Sequence, residues 1–554
     1  MLRGVLLSVA CSLLYVLLEL AMAAKVKEGD SFQGGSVYCQ GRSCKYVPGI
    51  LDWKKAAAVG TFNETLLSTG WGILDVSAGH ADLPGQTDVG IMFAAGFLEG
   101  ALTARQMEDQ FKNIFSALFP EPAEKILEKL KVWFTVQRRW ADLMIQTYSS
   151  DPIWRHASYI LAQLDGLYAG YKSVTTNIKA SLDMFAVNIL NANGDLLDLI
   201  SVLDPGSIQD WTKFTQQEAE NYFYTGGHCS ALIKVLPGYE NIFMSHSSWF
   251  AYAAMNRIFK HYNLNVSDPA TAAKQISFSS YPGYLESLDD FYILGSGLVM
   301  LETTNSILNA SLYKYVKPES LLAWQRVRIA NMMAHNGREW TNIISKYNSG
   351  TYNNQYMIID LKLIQLQKPL PDNTLWVAEQ IPGLVVAEDV TPILRAGYFP
   401  SYNVPFFEEI YNKSGYPEYV ARHGKQYSYE LAPRAKIFRR DQSTVKDMNT
   451  FKAIMRYNNY KNDPYSGGSP WGAICSRGDL VANSSSANGC YDTKTTDLNM
   501  ARFFQADILN GPTLGTGLPP FSWTGKFANK SHAGLPETFN FPFIRTQPRF
   551  NPGD

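Results

Sequence analysis

A chain of 554 residues that is 46% hydrophobic and 18% charged can bury a large core, which excludes an intrinsically disordered protein. Its formal net charge of -1 comes from intermixed basic and acidic residues, so it has no basic field to recruit nucleic acid or an anionic membrane. A neutral or zwitterionic substrate is compatible with this balance.

The first 24 residues have the pattern of a secretory signal peptide. Arg3 supplies a positive charge, residues 5–18 form an apolar stretch, and the small residues at 21–24 offer a cleavage site. Glu19 and the short length argue against a retained membrane span, which needs roughly 20 apolar residues. No later segment qualifies, so we expect a soluble mature protein that begins near residue 25 and is secreted or lysosomal.

Six Asn-x-Ser/Thr sequons are compatible with this route. Each used sequon carries a bulky glycan and is expected on a hydrophilic surface loop. The six asparagines are Asn63, Asn265, Asn309, Asn412, Asn483 and Asn529.

Cysteine usage also fits an oxidising compartment. Five cysteines remain after removal of the signal peptide, and an odd count leaves at least one thiol unpaired. The pairs Cys39–Cys44 and Cys475–Cys490 would each close a short local loop and leave Cys229 alone. The sequence does not fix this connectivity, but it directs attention to Cys229.

Residues 25–75 mix Gly-rich turns with short apolar runs, and the pattern turns helical beyond them. A strand-like run at 72–76 is followed, from about 88 to 171, by apolar residues that recur every three or four positions and predict helices. One helix is predicted between the prolines at 120 and 122 and the stop signal at 149–152. Its apolar stripe consists of Ile126, Leu130, Trp133, Val136, Trp140 and Leu143. Core packing is its commoner origin, although a partner-binding helix would carry the same stripe. Residues 184–203 predict another helix.

A polar stretch at 204–228 is the best linker candidate in the chain, and it ends in Gly226-Gly227. Cys229 follows directly. Two short apolar runs at 229–235 and 241–249, separated by a Pro-Gly turn, predict a β-hairpin. We therefore expect an N-terminal fragment (25–228) and a C-terminal fragment (229–554) that form one globular unit.

Beyond the hairpin the pattern is mixed. Helices are predicted at 249–262, 286–309 and 317–346, and strands are predicted at 356–366, 375–380 and 453–457. From about residue 460 the chain is rich in Gly, Pro, Ser and Asn. The mixture favours an α/β or α+β sandwich assembled from the parts before and after Cys229.

Several catalytic motifs are missing from the sequence. There is no Gly-x-Ser-x-Gly elbow, no His-Glu-x-x-His, no Cys-x-x-Cys, no P-loop and no dinucleotide fingerprint. We therefore predict no cofactor and no metal. Arg477-Gly478-Asp479 matches an integrin-binding tripeptide, for which chance is the better explanation.

The run Gly227-His228-Cys229-Ser230 leaves two interpretations open. Cys229 is either a buried structural thiol or an N-terminal nucleophile released by self-cleavage, in which the thiol attacks the preceding carbonyl. Cleavage would free the Cys229 α-amine, whose ordinary pKa of about 7.7–8.0 suits it to act as general base for its own thiol. The preceding glycines would allow the strained geometry of that attack.

Five sequence blocks carry a resemblance to a known family. They are GHCSALIKVLPGYENIFMSHSSW (227–249), SFSSYPGYLESLDDFYIL (277–294), KYNSGTYNNQYM (346–357), LAPRAKIFRRDQS (431–443) and MRYNNYKNDPYS (455–466). Together they resemble the phospholipase B-like family from about residue 70 nearly to the C-terminus. The N-terminal region and the cysteine pattern around Cys475 are where the chain departs from it.

The resemblance implies the fold of an N-terminal nucleophile hydrolase, an α+β sandwich of two antiparallel sheets between helical layers. It also implies a glycoprotein precursor that is cut between His228 and Cys229 and whose two pieces stay associated. Members of this family are assigned the removal of fatty acyl chains from glycerophospholipids. They occur in lysosomes, leukocyte granules and venoms.

By position in such a fold, His246 and Asn354 are the predicted catalytic partners of Cys229. Ser248, Trp249, Asn353 and Arg440 are predicted to support them. Asn353 or Asn354 would donate to the oxyanion, and Arg440 or its neighbour would orient a carboxylate or lipid phosphate. The structural alternatives are a core hydrogen bond for His246, a turn cap for one asparagine, and an ion pair of the arginines with Asp441, Asp289 or Asp290.

We therefore predict a phospholipase B-type hydrolase that acts through a thioester on Cys229. Its predicted partner is a phospholipid substrate and not nucleic acid, and the sequence leaves a homo-oligomer open. Two alternatives stay open: an amidase on N-acyl lipids or peptides, and a non-catalytic lipid-binding granule or lysosomal glycoprotein.

Overall fold

The computed structural model describes residues 30–80, 83–120, 122–176, 181–225 and 228–550. The predicted signal peptide with its cleavage site and the Gly226-Gly227 pair lie outside the described residues. No helix in the described part of the chain is long and apolar enough to cross a membrane.

Twenty strands and sixteen α-helices are found in the described ranges, joined by short 3₁₀ turns. The strands are β1 Ser31–Gln40, β2 Ser43–Pro48, β3 Ala58–Thr65, β4 Trp71–Ala78, β5 His228–Val235, β6 Ile242–Ala251, β7 Ile258–Leu264, β8 Gln275–Ser280, β9 Phe291–Leu294, β10 Leu298–Thr304, β11 Asn354–Asp360, β12 Leu375–Ile381, β13 Leu384–Asp389, β14 Tyr398–Ser401, β15 Asn488–Cys490, β16 Asp492–Asp497, β17 Ala506–Asn510, β18 Phe521–Ser522, β19 Thr538–Phe539 and β20 Ile544–Thr546. The helices are α1 Leu66–Thr69, α2 Asp88–Leu102, α3 Ala104–Leu118, α4 Glu124–Thr147, α5 Pro152–Val174, α6 Met184–Asn191, α7 Asn193–Leu203, α8 Gln216–Thr225, α9 Ala323–Met333, α10 Gly337–Ile344, α11 Thr391–Leu394, α12 Glu408–Lys413, α13 Tyr416–His423, α14 Pro433–Asp441, α15 Met448–Met455 and α16 Leu498–Arg502.

The larger sheet has eleven strands in the order β13-β12-β11-β10-β9-β8-β7-β4-β3-β1-β2. Its neighbouring strands are antiparallel except for β4 and β7, which run parallel. A parallel pair needs a long crossover connection. Here the crossover contains helices α2 to α8 and the β5–β6 hairpin, which explains why the helical half of the sequence lies between two strands of one sheet.

The smaller sheet has the order β14-β5-β6-β16-β17-β20, and β15 also pairs with β6. Strands β5 and β6 form the hairpin predicted around Pro237-Gly238, with His228 opposite Trp249 at its open end. Gly238 adopts a φ of 67°, a conformation that glycine takes without steric cost, so the tight turn is encoded locally. The predicted strand at 72–76 is likewise confirmed as part of β4.

The two sheets pack face to face. Their shared apolar core includes Ala231, Ile233, Met244, Val299, Met357 and Val377. The other face of the larger sheet packs on helices α2 to α7, and the other face of the smaller sheet packs on helices α12 to α15. The molecule is therefore of mixed α and β class, in agreement with the predicted α+β composition.

Helices α2 and α5 cross at a glycine contact. A Cβ atom at Gly96 would lie 2.0 Å from the carbonyl oxygen of Gln163, and one at Gly166 would lie 2.1 Å from that of Phe93. Because those neighbours are backbone atoms, no side-chain rotation would relieve the clash. The four-residue spacing of the glycines, repeated in both helices at Gly100 and Gly170, sets how closely the helices approach.

Several predicted elements differ from the structure. Residues 249–262 and 286–309 were expected to be helical but contain β7, β9 and β10, because strands buried on both faces show the same dense apolar pattern as buried helices. The strand expected at 453–457 is instead the end of α15. The helix expected at 184–203 is two helices, as is most of 317–346.

The predicted stripe on α4 is only partly a core face. Leu130 and Trp133 are buried, whereas Val136 and Leu143 are exposed. The helix begins at Glu124 and ends at Thr147, inside the predicted signals.

The polar stretch predicted as a linker contains ordered structure. Residues 216–225 form α8, in which Phe223 and Tyr224 are buried against aromatic residues of the C-terminal part. Trp211 donates from Nε1 to the carbonyl oxygen of Leu308 at 2.9 Å. Cleavage after this stretch stays a prediction.

Both expected disulfides are present, Cys39–Cys44 and Cys475–Cys490. Cys229 is the single free cysteine among the described residues. The inference from the sequence that Cys229 is the unpaired cysteine is therefore confirmed.

Candidate active site

Cys229 lies at the open end of the β5–β6 hairpin, where the two sheets separate. In the strand register it is opposite Ser248, and His246 is opposite Ala231 two positions further along, so these side chains share the face that meets the larger sheet. Cys229 is 5% exposed.

A narrow cavity reaches this cysteine. It is lined by Asn193, Gly194, Leu197, His228, Cys229, Ser248, Trp249, Phe250, Tyr281, Leu288, Asp289, Thr304, Tyr352 and Tyr491. The lining comes from both sheets, from helix α7 and from connecting loops. Residues more than 290 positions apart in sequence therefore surround one thiol.

The backbone of Cys229 is held on both sides of its Cα atom. Its N–H donates to Oδ1 of Asn403 at 3.0 Å, and its carbonyl oxygen accepts from Nη1 of Arg434. The same Nη1 donates to Asn403 Oδ1 at 2.8 Å, and the guanidinium lies 4.3 Å from the ring centre of Trp249. A fully buried cation is thus fixed beside the amide nitrogen of Cys229, and its burial lowers the pKa of Arg434 to about 10.

Two further side chains converge on the thiol. One donor or acceptor atom from each of Cys229, His246 and Glu302 lies within 4.8 Å of the others. Burial, and then the Glu302 carboxylate, raise the pKa of the Cys229 thiol well above its ordinary value. Burial and Lys494 lower the pKa of His246, while burial and Asp290 raise that of Glu302. In the uncut chain the thiol is therefore protonated and the imidazole is neutral.

Lys494 on β16 sets the state of His246. Its ammonium group donates to His246 Nδ1 at 3.0 Å, to Ser248 Oγ at 2.6 Å, to Asp492 at 2.9 Å, and lies 2.8 Å from Asp289. Because Nδ1 accepts this bond, the proton of the neutral ring is on Nε2. Nε2 is buried and makes no close hydrogen bond among the described residues, although the Glu302 backbone acts to raise the His246 pKa, so this N–H is an available donor near the thiol.

Cys229, His246 and Glu302 are also the donor types that Zn²⁺ binds. A histidine ligand normally donates its second ring N–H to an acceptor. Here the second nitrogen faces the Lys494 ammonium, which is itself a donor. The arrangement suits proton transfer and hydrogen bonding better than it suits a metal.

A buried ion-pair network supports this centre. Arg257 contacts Asp289 through both terminal nitrogens, at 3.0 and 2.7 Å, and lies 3.2 Å from Asp492. Burial acts to raise the pKa of Asp289, but the charges of Arg257 and Lys494 outweigh it and hold that pKa well below its usual range. Two cations and two carboxylates thus alternate within contact distance.

Comparison with known proteins places the chain in a family. A family model described as Phospholipase B matches residues 58–546. The chain is 49% identical over 536 residues to phospholipase B-like 1 of Bos taurus, covering 96% of each chain. It is 52% identical over 500 residues to phospholipase B of Crotalus adamanteus, covering 90% of each, and 50% identical over 507 residues to phospholipase B-like 1 of Homo sapiens, covering 91% of this chain and 89% of the relative.

The chain belongs to the phospholipase B family. The resemblance inferred from the five sequence blocks is thereby confirmed.

Within this phospholipase B family member, three of the predicted site residues lie with Cys229. Ser248 and Trp249 line the cavity, and His246 lies behind Ser248 with Lys494. Trp249 Nε1 is a second buried donor without a partner in the described part of the chain. His228 also lines the cavity, so the residue before the predicted cut occupies the site itself.

The two predicted asparagines are held elsewhere. Asn353 donates to Asp198 at 3.1 Å and to the carbonyl oxygen of Gly350 at 3.0 Å. Asn354, with its amide oriented to satisfy its neighbours, donates to Glu302 at 3.1 Å. Asn354 thus lies one contact away from the thiol cluster, and Asn353 joins the sheet to helix α7.

Arg440 is engaged in ion pairs. It contacts Asp441 at 2.6 Å and Asp463 at 2.8 Å and does not line the cavity. This is the structural alternative that the sequence left open. Arg434, six residues earlier in the same block, is the arginine that reaches Cys229.

Sequence reasoning missed Asn403, Arg434, Glu302 and Lys494. Arg434 lies within the quoted block 431–443, and a search of that block for a buried arginine would have included it. The other three carry no local signal, since each belongs to an unremarkable run and acts only through its tertiary position.

The sequons differ in setting. Asn265, Asn412, Asn483 and Asn529 are exposed, whereas Asn63 and Asn309 are partly buried. Asn63 lies within strand β3 and Asn412 within helix α12, not on loops as expected. Their use stays a prediction.

Proposed function

We propose that this protein is a phospholipase B-type acyl hydrolase whose nucleophile is Cys229, exposed by cleavage of the His228–Cys229 bond. The observation that carries the proposal is the holding of Cys229. Cys229 carries a lone buried thiol at the start of a strand. Asn403 binds the backbone N–H of this residue and Arg434 binds its carbonyl oxygen, so the residue is fixed as a reacting group would be.

The layering of the molecule supports an N-terminal nucleophile hydrolase sandwich. The two sheets share a core, and helices pack on their outer faces. Strand β4 of the N-terminal fragment pairs with β7 of the C-terminal fragment over seven register positions. A cut before Cys229 would therefore leave both fragments in one sheet, so we infer that they stay associated.

Maturation in this proposal is an N-to-S acyl shift. Cys229 Sγ attacks the carbonyl carbon of His228, the peptide C–N bond breaks, and the Cys229 nitrogen takes the thiol proton. Water then hydrolyses the thioester, leaving a carboxylate on His228, a free thiol and a free α-amine. Because the Asn403 and Arg434 contacts to Cys229 lie on its side of the bond that is cut, they would hold the residue in place after the cut.

The new amine would then act as the base. It would lie where the amide nitrogen now lies, 3.0 Å from Asn403 Oδ1 and beside the Arg434 guanidinium. A neighbouring cation lowers the pKa of an amine. The amine is therefore neutral near neutral pH and able to take the thiol proton, after which the thiolate attacks an ester carbonyl.

His246 is the donor that we assign to the oxyanion, because it shares the Cys229 face of the hairpin, whereas the Trp249 ring lies on the opposite face. The His246 Nε2–H makes no close hydrogen bond among the described residues, whereas Asn353 and Asn354 are engaged with Asp198 and Glu302. One such donor contributes about 3–4 kcal/mol to transition-state stabilisation. The alcohol leaves with the proton from the amine, and water activated by the same amine releases the fatty acid.

The first experiment is intact-mass analysis and N-terminal sequencing of the purified secreted protein, beside Cys229→Ala and Cys229→Ser variants. We expect a second N-terminus beginning Cys-Ser-Ala-Leu in the parent protein and a single chain in Cys229→Ala. Fatty acid release is then measured on phosphatidylcholine micelles and on a matched N-acyl lipid, which separates an esterase from an amidase. A Cys229→Ala protein that matured and still released fatty acid would refute the mechanism.

A further inference from the structure

The larger sheet extends beyond the smaller one at the β1–β3 end. There Phe62 of β3 points into the helix-side core, so the alternate residues Thr61 and Asn63 point to the opposite face. Phe32 on β1 is the register partner of Asn63 and is 66% exposed. An aromatic ring is thus left uncovered directly beside an asparagine.

These residues form one side of a groove. Phe32, Thr61 and Asn63 line it together with Ile73 and Asp75 of β4. The opposite wall is β20 and the segment that follows it, through Arg545 of the strand and Gln547 and Arg549 beyond it. The groove therefore has an apolar base at one end and polar, cationic groups at the other.

Asn63 is the first residue of the sequon Asn63-Glu64-Thr65. Thr65 lies two positions along the same strand, so both sequon residues are on the groove face. Among exposed large hydrophobic side chains, Phe32 alone is the register partner of a sequon asparagine in the described sheets.

We infer that this groove seats the first N-acetylglucosamine of an Asn63-linked glycan, with Phe32 packed against the apolar face of the sugar. In the transfer step an oligosaccharide on a lipid pyrophosphate is the donor. The bond from the sugar C1 to the pyrophosphate oxygen breaks, C1 bonds to Asn63 Nδ2, and one amide proton is lost with the leaving pyrophosphate.

The geometry matches a monosaccharide. Cross-strand partners have Cβ atoms about 4.5–5.5 Å apart, which places a sugar on the Asn63 amide within contact of the Phe32 ring. The sugar C–H groups cover the ring, and the Gln547 amide offers donors to the sugar hydroxyl and acetamido oxygens, whereas Arg545 is paired with Asp507. The glycan would remove from water an aromatic face that the protein itself leaves exposed.

The test compares native deglycosylation rates. The protein is expressed in a eukaryotic secretory host and treated, without denaturation, with a peptide N-glycosidase, which converts glycosylated asparagine to aspartate. Site-resolved mass spectrometry follows Asn63 and, as an internal reference, the exposed Asn483. A seated sugar is released about three- to tenfold more slowly, the range expected for one aromatic contact.

The variants decide the role of the ring. Phe32→Ala should raise the Asn63 release rate to that of the reference site, and Phe32→Trp should keep it slow. Phe503→Ala is the matched control, because Phe503 is 69% exposed and its change should leave the Asn63 rate unaltered. An unoccupied Asn63, or a release rate that Phe32→Ala leaves unchanged, would overturn the inference.

Discussion

Replacement of Lys494 by methionine tests whether the buried charge network holds the site together. Lys494 is fully buried and contacts Asp289 at 2.8 Å and Asp492 at 2.9 Å. Both carboxylates also contact Arg257. The substitution leaves two buried carboxylates sharing one cation, so one negative charge loses its compensation.

The expected cost is large. Methionine nearly matches the lysine in volume, so little is lost in packing. Breaking a buried ion pair from one side costs about 3–5 kcal/mol. Lys452→Met is the matched control: its partner Asp507, 2.6 Å away, keeps Arg545 and so stays compensated, and we expect a smaller loss than for Lys494→Met.

The assay is urea unfolding followed by tryptophan fluorescence, in a Cys229→Ala background so that every sample is one chain. The pH dependence gives a second readout. Asp289 has a depressed folded pKa, so its stabilising contribution is present above the unfolded pKa of about 3.9 and is lost as pH falls through the folded pKa. Without Lys494 the pKa of Asp289 rises and the contribution shrinks, so the deficit is largest at neutral pH and diminishes on acidification. A loss no larger than that of Lys452→Met would refute the reasoning.

Three further predictions concern maturation, pH and packing. Arg434→Met removes the donor to the Cys229 carbonyl, a contact worth about 1.4 kcal/mol, and should slow the appearance of the Cys229 N-terminus at least about tenfold on a gel time course. Arg439→Met is the control, and equal rates in the two variants would contradict the role of Arg434. Burial raises the pKa of Asp75 to about 7, so the folded state holds a proton on this carboxyl between about pH 4 and 7 and loses stability as the pH rises through that range. In denaturant titrations Asp75→Asn should therefore increase the unfolding free energy by about 2–4 kcal/mol above pH 7 and change it little near pH 4. A pH-independent effect would count against this reasoning. Gly166→Ala should lower the unfolding free energy by about 1–3 kcal/mol or more in the same titrations, because the new Cβ would meet the Phe93 backbone. Gly90→Ala, near the start of α2, is the control and should be close to neutral, and similar losses in both variants would refute the glycine contact.

The hairpin that carries the site is encoded locally. Two apolar runs around Pro237-Gly238 need only each other and the turn to define β5 and β6, and the structure confirms both. The isolation of Cys229 also followed from the sequence, because the other four cysteines close short loops. Local chemistry of this kind is readable because the interacting residues are close in sequence.

The strands at 286–309 were misassigned for a physical reason. Strands β9 and β10 are covered by the smaller sheet on one face and by helices on the other, so residues 291–294 and 298–301 are apolar on both faces and the period of two is lost. Only the neighbours identify such a run as a strand. The same burial placed Glu302 on β10 opposite the thiol.

The sequence by itself determined the nucleophile candidate, the hairpin that begins with it and the resemblance to the phospholipase B family, and it suggested the two disulfides that the structure then showed. The tertiary structure decided which side chains surround Cys229. Asn403, Arg434, Glu302 and Lys494 come from a loop, a helix and two strands, spread over almost 200 residues of sequence, and no local pattern marks them. Their roles arise from burial, because charges and amides acquire fixed partners and shifted pKa values only when the two sheets close around them.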